Sequence, residues 1–181
     1  MRIISGIARG CRLEALPGED VRPTTDRVKE GMFSILQFSL PAAKVLDLFA
    51  GSGQLGIEAL SRGAQKCYFI DNASASIQII KKNLQKANLA EQATILQCDS
   101  LSFITSMNNE KFDVVILDPP YQTTLLEQAL DCLNGKLEKN GIVLCEHTID
   151  KHLPEEIGNL KKQKEYKYGK IKLTKYVLSK E

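Results

Sequence analysis

From Lys44 onward, apolar runs alternate with stretches of helical period. Lys44–Phe49, Lys66–Asp71, Ala93–Cys98 and Phe112–Leu117 are short and rich in aliphatic side chains, as strands buried on both faces require. Gly141–Glu146 repeats the pattern after Asn140. Between these runs, Ser52–Arg62, Ser74–Ala87, Ser100–Met107 and Thr123–Leu133 read as helices; in the first, Leu55, Ile57, Ala59 and Leu60 supply the apolar side. Such alternation predicts an α/β fold with a mostly parallel, Rossmann-like central sheet and helices on both faces. Ligands of such sheets lie at the carboxyl ends of the strands.

The ends of the chain follow other patterns. Residues 2–16 read as a short hairpin or an extended arm, with Ile3, Ile4 and Ile7 in one apolar run and Leu13, Ala15 and Leu16 in another. Pro17-Gly18-Glu19-Asp20 is a turn. Pro23 keeps Arg22 extended, Thr24 or Thr25 caps a helix, and Val28, Met32, Ile35 and Leu36 mark one face of it up to Pro41. Past Asp150, His152–Ile157 reads as a short helix, and Leu160–Tyr168 and Lys170–Leu178 as an antiparallel pair about Gly169. In the second of these strands, Ile171, Leu173 and Val177 share one face and Lys172 and Thr174 the other. With 181 residues, 43% of them apolar, the whole chain (1–181) is expected to form a single domain: a basic arm at 1–20 and a core at 44–181.

Charge is distributed unevenly. Residues 1–13 hold three Arg and no acid, residues 151–181 nine Lys and four Glu, and the middle is acidic. Basic ends point to a polyanion, and an arginine-bearing arm suits RNA phosphates. The lysines of the last strands fit equally well as a solvated surface. No run is long and apolar enough for a membrane span or a signal core, so a cytoplasmic protein is expected. The five cysteines form no C-x-x-C, which argues against disulfides and zinc, and no metal site is expected; Cys67, Cys98 and Cys145 read as core residues.

The first strand runs into Gly51-Ser52-Gly53, so strand, glycine turn and helix N-terminus form a ligand-binding corner. Gly51, Gly53 and Gly56 satisfy G-x-G-x-x-G, which a dinucleotide enzyme would share. Acids recur at successive strand ends: Asp47, Asp71, Asp99 and Asp118. Asp71 falls roughly twenty residues past the glycine turn, where a carboxylate holds a ribose hydroxyl pair. Asp99, with Ser100, suits the exocyclic amine of an adenine. Asp118-Pro119-Pro120-Tyr121 is the most specific signal. Its two prolines remove two N–H donors, leaving a wall of acceptors fit for an amino group, and Tyr121 adds a flat face for a nucleobase.

These motifs resemble the class I S-adenosylmethionine-dependent methyltransferases acting on exocyclic amines. More narrowly, Arg2–Leu13, Arg22-Pro23-Thr24-Thr25-Asp26-Arg27-Val28-Lys29-Glu30 and Leu46–Gly53 resemble the RsmD family of bacterial 16S rRNA guanine-N2 methyltransferases, which modify guanine 966 of the small subunit. The resemblance implies a class I methyltransferase fold with a C-terminal antiparallel strand pair and S-adenosylmethionine as cofactor. It also implies 16S rRNA as partner, within an assembling or assembled small subunit. On this footing Thr25, Asp47, Phe49, Gly51, Ser52, Gly53, Asp71, Asp99, Ser100 and Asp118 contact the cofactor. Asp118, Pro119 and Tyr121 act on the target amine, and Arg2, Arg9, Arg12, Arg22 and Arg27 bind RNA. An adenine-N6 enzyme acting on RNA or DNA is the alternative. A nicotinamide dehydrogenase leaves Asp-Pro-Pro-Tyr unexplained, and a non-catalytic RNA-binding module leaves the acids unexplained.

Overall fold

Val45 pairs on one side with Cys67 and on the other with Val114, both in parallel register. That places the first strand inside the sheet, and the rest of the chain is arranged about it. The structure, a computed structural model, describes residues 1–17, 25–121 and 123–179. In chain order the elements are α1 (Asp26–Leu36), β1 (Lys44–Asp47), α2 (Gln54–Ser61), β2 (Lys66–Asp71), α3 (Ser74–Lys86), β3 (Ala93–Gln97), α4 (Ser100–Ser106), β4 (Phe112–Leu117), α5 (Leu125–Cys132), β5 (Leu137–Thr148), β6 (Glu156–Ile157), β7 (Leu160–Tyr168) and β8 (Ile171–Leu178). The sheet order is β3-β2-β1-β4-β5-β8-β7-β6, with β1 to β5 parallel and the last three strands antiparallel. The chain reverses direction across the sheet between β1 and β4, so the carboxyl ends of those strands open a crevice.

The period of two along each strand divides the core into two layers. Val45, Val114, Ile142 and Leu144 face one layer with residues of α1, α2 and α3, whereas Leu46, Val115, Val143 and Cys145 face the other with residues of α4 and α5. Both sheet faces are covered, which explains why these strands read as near-continuous apolar runs. β4 lies where its pattern predicts; most other ends differ by one or two residues, as caps and fraying allow. Cys67 and Cys145 are buried, but Cys98 is half-exposed because it follows the edge strand β3.

Two further expectations fail. β5 begins at Leu137, well before Gly141. Its chain passes so close to itself there that a Cβ on Gly141 would lie 2.9 Å from the Glu138 carbonyl oxygen. The predicted helix His152–Ile157 is absent. Pro154 supplies no N–H, and Glu156 and Ile157 pair instead with Lys161 and Leu160 across Gly158, whose φ is 57°. Lys172 and Thr174 lie on the face opposite Leu173, as their spacing predicts, and both are buried. The segment after β5 folds over that face, with Leu153 buried and the Tyr176 hydroxyl donating to the Pro154 carbonyl. Lys172 is 3.3 Å from Glu165, and the Thr174 hydroxyl bonds the ring of His147, which is itself buried.

Of the two readings for residues 2–16, the hairpin is observed. Ile3 N–H donates to the Cys11 carbonyl, Leu13 N–H to the Met1 carbonyl, and Arg2 bridges Arg12. Ile3 and Leu13 are buried, while Ile7 at the tip is 81% exposed. The hairpin is pinned to α2: the Glu58 carboxylate accepts the N–H groups of Ile4 and Ser5, at 2.8 and 3.0 Å, and the Ser61 hydroxyl accepts that of Ala8. Gly6, with φ of 88°, is required there because a Cβ would lie 1.8 Å from the Ser61 carbonyl oxygen.

Candidate active site

The glycine corner is built by two different demands on backbone. Gly51 and Gly53 have φ of 53° and 80°, a left-handed conformation that costs other residues. Gly56 is required by packing: a Cβ there would meet Phe69 Cε1 at 2.3 Å and Cys67 Sγ at 2.8 Å, so α2 lies close on β2. Asp47 anchors the corner from below. It is buried, and its carboxylate accepts the Gly56 N–H at 2.9 Å. Burial pushes its pKa up to about 7; the Gly56 bond opposes this, and the charge of Asp71 adds to it.

Asp71 and Asp99 follow at the ends of β2 and β3. One Asp71 oxygen accepts the Gly51 N–H and the other the Ala73 N–H, each at 2.9 Å, so this carboxylate ties the glycine turn to the start of α3. Asp99 caps α4 by accepting the Ser102 N–H at 2.8 Å, and that bond holds its pKa below the usual carboxylate range. The Ser100 hydroxyl donates to the Leu48 carbonyl at 2.7 Å, fixing α4 against β1.

These groups surround one cavity of about 590 Å³ at the carboxyl ends of the parallel strands. Of the residues singled out from the sequence, Phe49, Gly51, Asp71, Asp99, Ser100, Asp118, Pro119 and Tyr121 line it. Asp47, Ser52, Gly53 and Thr25 lie outside the lining. Asp47 stands behind the turn, Ser52 turns its hydroxyl toward the Met1 sulfur at 3.6 Å, Gly53 is the residue that caps the start of α2, and Thr25 caps α1 by accepting the Val28 N–H. Arg9, Arg12 and Arg27 are exposed, Arg2 is exposed beside Asp26 at 3.3 Å, and Arg22 lies outside the described residues.

Other cavity residues escaped the sequence reading. Leu16 comes from the far side of the N-terminal hairpin, Asn72 and Ser76 from the β2–α3 corner, and Leu125 from the start of α5. Glu146 lies outside the lining and meets it through Tyr121. It is 2% exposed at the end of β5, and the Tyr121 hydroxyl donates to it at 2.5 Å. Its signal was available: like Asp47, it is an acid inside an otherwise apolar strand.

The lining carries three carboxylates, Asp71, Asp99 and Asp118, and no Lys or Arg among the described residues. A dinucleotide pyrophosphate would meet net repulsion in such a site, whereas a cationic ligand would meet attraction. Residues 1–177 match the family described as Conserved hypothetical protein 95. The chain belongs to the RsmD family. It is 43% identical over 169 residues to ribosomal RNA small subunit methyltransferase D of Haemophilus influenzae, covering 90% of this chain and 88% of that protein. The same-named protein of Escherichia coli strain K12 is 35% identical, over 94% of this chain and 86% of its own length. The solved structure of yhhF from Escherichia coli superposes with a TM-score of 0.87 at 32% identity, covering 98% and 97% of the two chains. At 17% identity, an RNA methyltransferase from Salinibacter ruber, solved with S-adenosyl-L-homocysteine, shares the fold with a TM-score of 0.67, over 88% of this chain and 95% of that one. The RsmD-family sheet is thus the mixed sheet of the class I methyltransferases, with the antiparallel C-terminal strands expected for it.

Proposed function

We propose that this RsmD-family chain transfers a methyl group from S-adenosylmethionine to the exocyclic N2 amine of a guanine in small-subunit ribosomal RNA. The observation that carries the reading is the acceptor wall Asp118-Pro119-Pro120-Tyr121 standing on a carboxylate-lined cavity without basic residues among those described. The printed names of the relatives support the RNA substrate and the methyl transfer. The cavity fits the cofactor by charge, because a sulfonium and an amino group are cations and the lining is anionic. Gly51 and its neighbours would hold the methionine end, Asp71 the ribose and Asp99 the adenine.

When bound, the cofactor supplies a methyl group already activated by positive sulfur. The chain's own task is therefore alignment and electrostatics. A guanine amine is a poor nucleophile, since its lone pair is delocalised into the ring. The Asp118 carboxylate and the Pro119 carbonyl take its two hydrogens and turn the lone pair out of the ring plane. The Asp118 charge then stabilises the positive charge that develops on nitrogen. A strong general base is unnecessary, because a methylated arylammonium loses its proton readily. His147 is buried against Thr174, and burial keeps its pKa below the usual imidazole range, which suits a packing role. This reading places the protein in the cytoplasm, where its substrate is assembled.

The test is incubation of unmethylated small ribosomal subunits with labelled cofactor, followed by nucleoside analysis by mass spectrometry. N2-methylguanosine is the expected product. N6-methyladenosine in its place would assign the site to adenine, and absence of label would reject methyl transfer to this RNA.

A further inference from the structure

The amide of Asn83, on α3, faces three backbone groups of matching sense. Its Oδ1 accepts the Glu14 N–H at 2.8 Å, and its Nδ2 donates to the carbonyls of Glu14 at 3.0 Å and Ser52 at 2.9 Å. The residue is 0% exposed, and both amide hydrogens are used. Ser52 is the middle of the glycine turn, and Glu14 continues the second leg of the N-terminal hairpin. We propose that Asn83 is a positioning residue for the cofactor: one amide holds both the glycine turn and the leg that brings Leu16 to the cavity, so the hairpin is a wall of the cofactor site. The inference rests on the methyl-transfer reading above and deepens it.

The leg follows α3 toward the cavity. Cys11 Sγ lies 3.6 Å from the Lys86 carbonyl, Glu14 sits on Asn83, and Leu16 lines the cavity together with Ser76. Ser76 and Asn83 are seven residues apart, about two turns, and share the buried face of the helix. The glycine turn is tied at two consecutive residues, the Gly51 N–H by Asp71 and the Ser52 carbonyl by Asn83. Gly51 and Leu16 line the cavity, whereas Asn83 does not, so it acts through them. Without the amide, the Glu14 N–H and the Ser52 carbonyl lose a buried partner. Turn and leg are then released together, and the cavity loses the fixed position of one of its few apolar residues.

Calorimetry of the full chain with S-adenosylhomocysteine tests this. Asn83→Ala should weaken binding roughly 10-fold, the shift that one buried polar group left unpaired produces. Leu16→Ala should weaken it roughly 3- to 10-fold, the loss of part of a leucine's burial. In the Asn83→Ala background, Leu16→Ala should change affinity by less than about twofold, because that side chain is no longer held in place. Ser61→Ala controls for plain destabilisation. It frees the Ala8 N–H and the Ser5 carbonyl on the first leg and leaves the glycine turn alone. It should lower the thermal midpoint yet keep the affinity within about twofold. In methyl transfer to small subunits, the cofactor KM of Asn83→Ala should rise while kcat stays near wild type, the mark of lost uniform binding. Leu16→Ala, at a half-buried position, carries the test if Asn83→Ala folds poorly. Unchanged affinity in Asn83→Ala or in Leu16→Ala, or an equal loss in Ser61→Ala, would overturn the role of Asn83 while leaving methyl transfer standing. Wild-type protein that binds no S-adenosylhomocysteine would overturn both readings.

Discussion

Lys29 Nζ lies 3.5 Å from Glu58 Oε2, and the two side chains are 1% and 0% exposed. Arg62 reaches the other oxygen of the same carboxylate at 2.8 Å, and the N–H groups of Ile4 and Ser5 complete its shell. Lys29 also donates to the Arg2 carbonyl. One buried acid therefore ties α1, α2 and the N-terminal hairpin together. Desolvation lowers the Lys29 pKa, and Glu58 opposes that shift. Glu58→Gln should remove the charge that compensates Lys29 and cost about 3–5 kcal/mol, as breaking a buried pair does. Denaturant unfolding would measure it. Limited proteolysis should cut the hairpin faster in the variant, since two of its backbone anchors are weakened. A stability within about 0.5 kcal/mol of wild type would show that the pair does not hold the hairpin.

Asp47 gives a pH dependence of known sign. Its pKa is pushed up to about 7 in the folded chain, above its ordinary value. The folded state therefore holds this proton more tightly than the unfolded state. The associated stability is fully present below a pH of about 4 and is lost as pH rises through about 7. Asp47→Asn keeps an acceptor for the Gly56 N–H and removes the titration. Relative to wild type, the variant should gain stability steadily between those pH values and level off above. The gain should be at most on the order of 4 kcal/mol. Thermal melts of both proteins from pH 5 to 8 test this, and a constant difference would remove the assignment.

Gly56→Ala isolates the packing demand of the glycine corner. The added Cβ overlaps the Phe69 ring and the Cys67 sulfur. Overpacking of this kind costs about 1–3 kcal/mol. Adding Phe69→Leu should recover part of the loss, and a thermodynamic cycle reads the coupling directly. If the two substitutions simply add, the close approach of α2 to β2 is not what requires glycine.

Much of this was visible in the chain itself. The aliphatic runs of β1, β2 and β4 are buried on both faces, so their composition alone marks them. Gly51, Gly53 and the two prolines after Asp118 announce backbone that must do something unusual. The remainder depended on pairings distant in sequence. Lys29 reads as a solvated helix residue until Glu58 is placed beside it. Lys172 and Thr174 alternate with apolar residues as a surface strand would, but both are buried, the first beside Glu165 and the second on the ring of His147. Tyr121 was legible as a flat face for a base; that Glu146 orients its hydroxyl was not, because the two residues meet only through the pairing of β4 with β5.

Asp118 is the group whose loss should separate chemistry from binding. Asp118→Ala removes a charge that acts on the developing ammonium, and turnover should fall by roughly 10²–10³-fold. The residues placed on the methionine end, the ribose and the adenine are unchanged, so calorimetry should find the cofactor affinity nearly intact even though the variant loses one of the cavity's three carboxylates. Near wild-type turnover would reject the role given to this carboxylate.

The exposed arginines make the last prediction, which concerns RNA. Arg9 and Arg12 are exposed on a hairpin that is fixed to the domain by Glu58, Ser61 and Asn83, so their charges are presented from a rigid base. Each phosphate they neutralise releases counterions and steepens the fall of affinity with salt, by about 0.7 per contact for single-stranded nucleic acid. Replacing both with Gln should weaken binding to small-subunit RNA at low salt and flatten the slope of log affinity against log salt by about 1–1.5. Arg2→Gln should do less, because that guanidinium is already beside Asp26 at 3.3 Å. Filter binding across a salt series measures all three slopes. An unchanged slope in the Arg9/Arg12 variant would mean that the hairpin does not touch phosphate, and the basic N-terminus would then be explained by solubility alone.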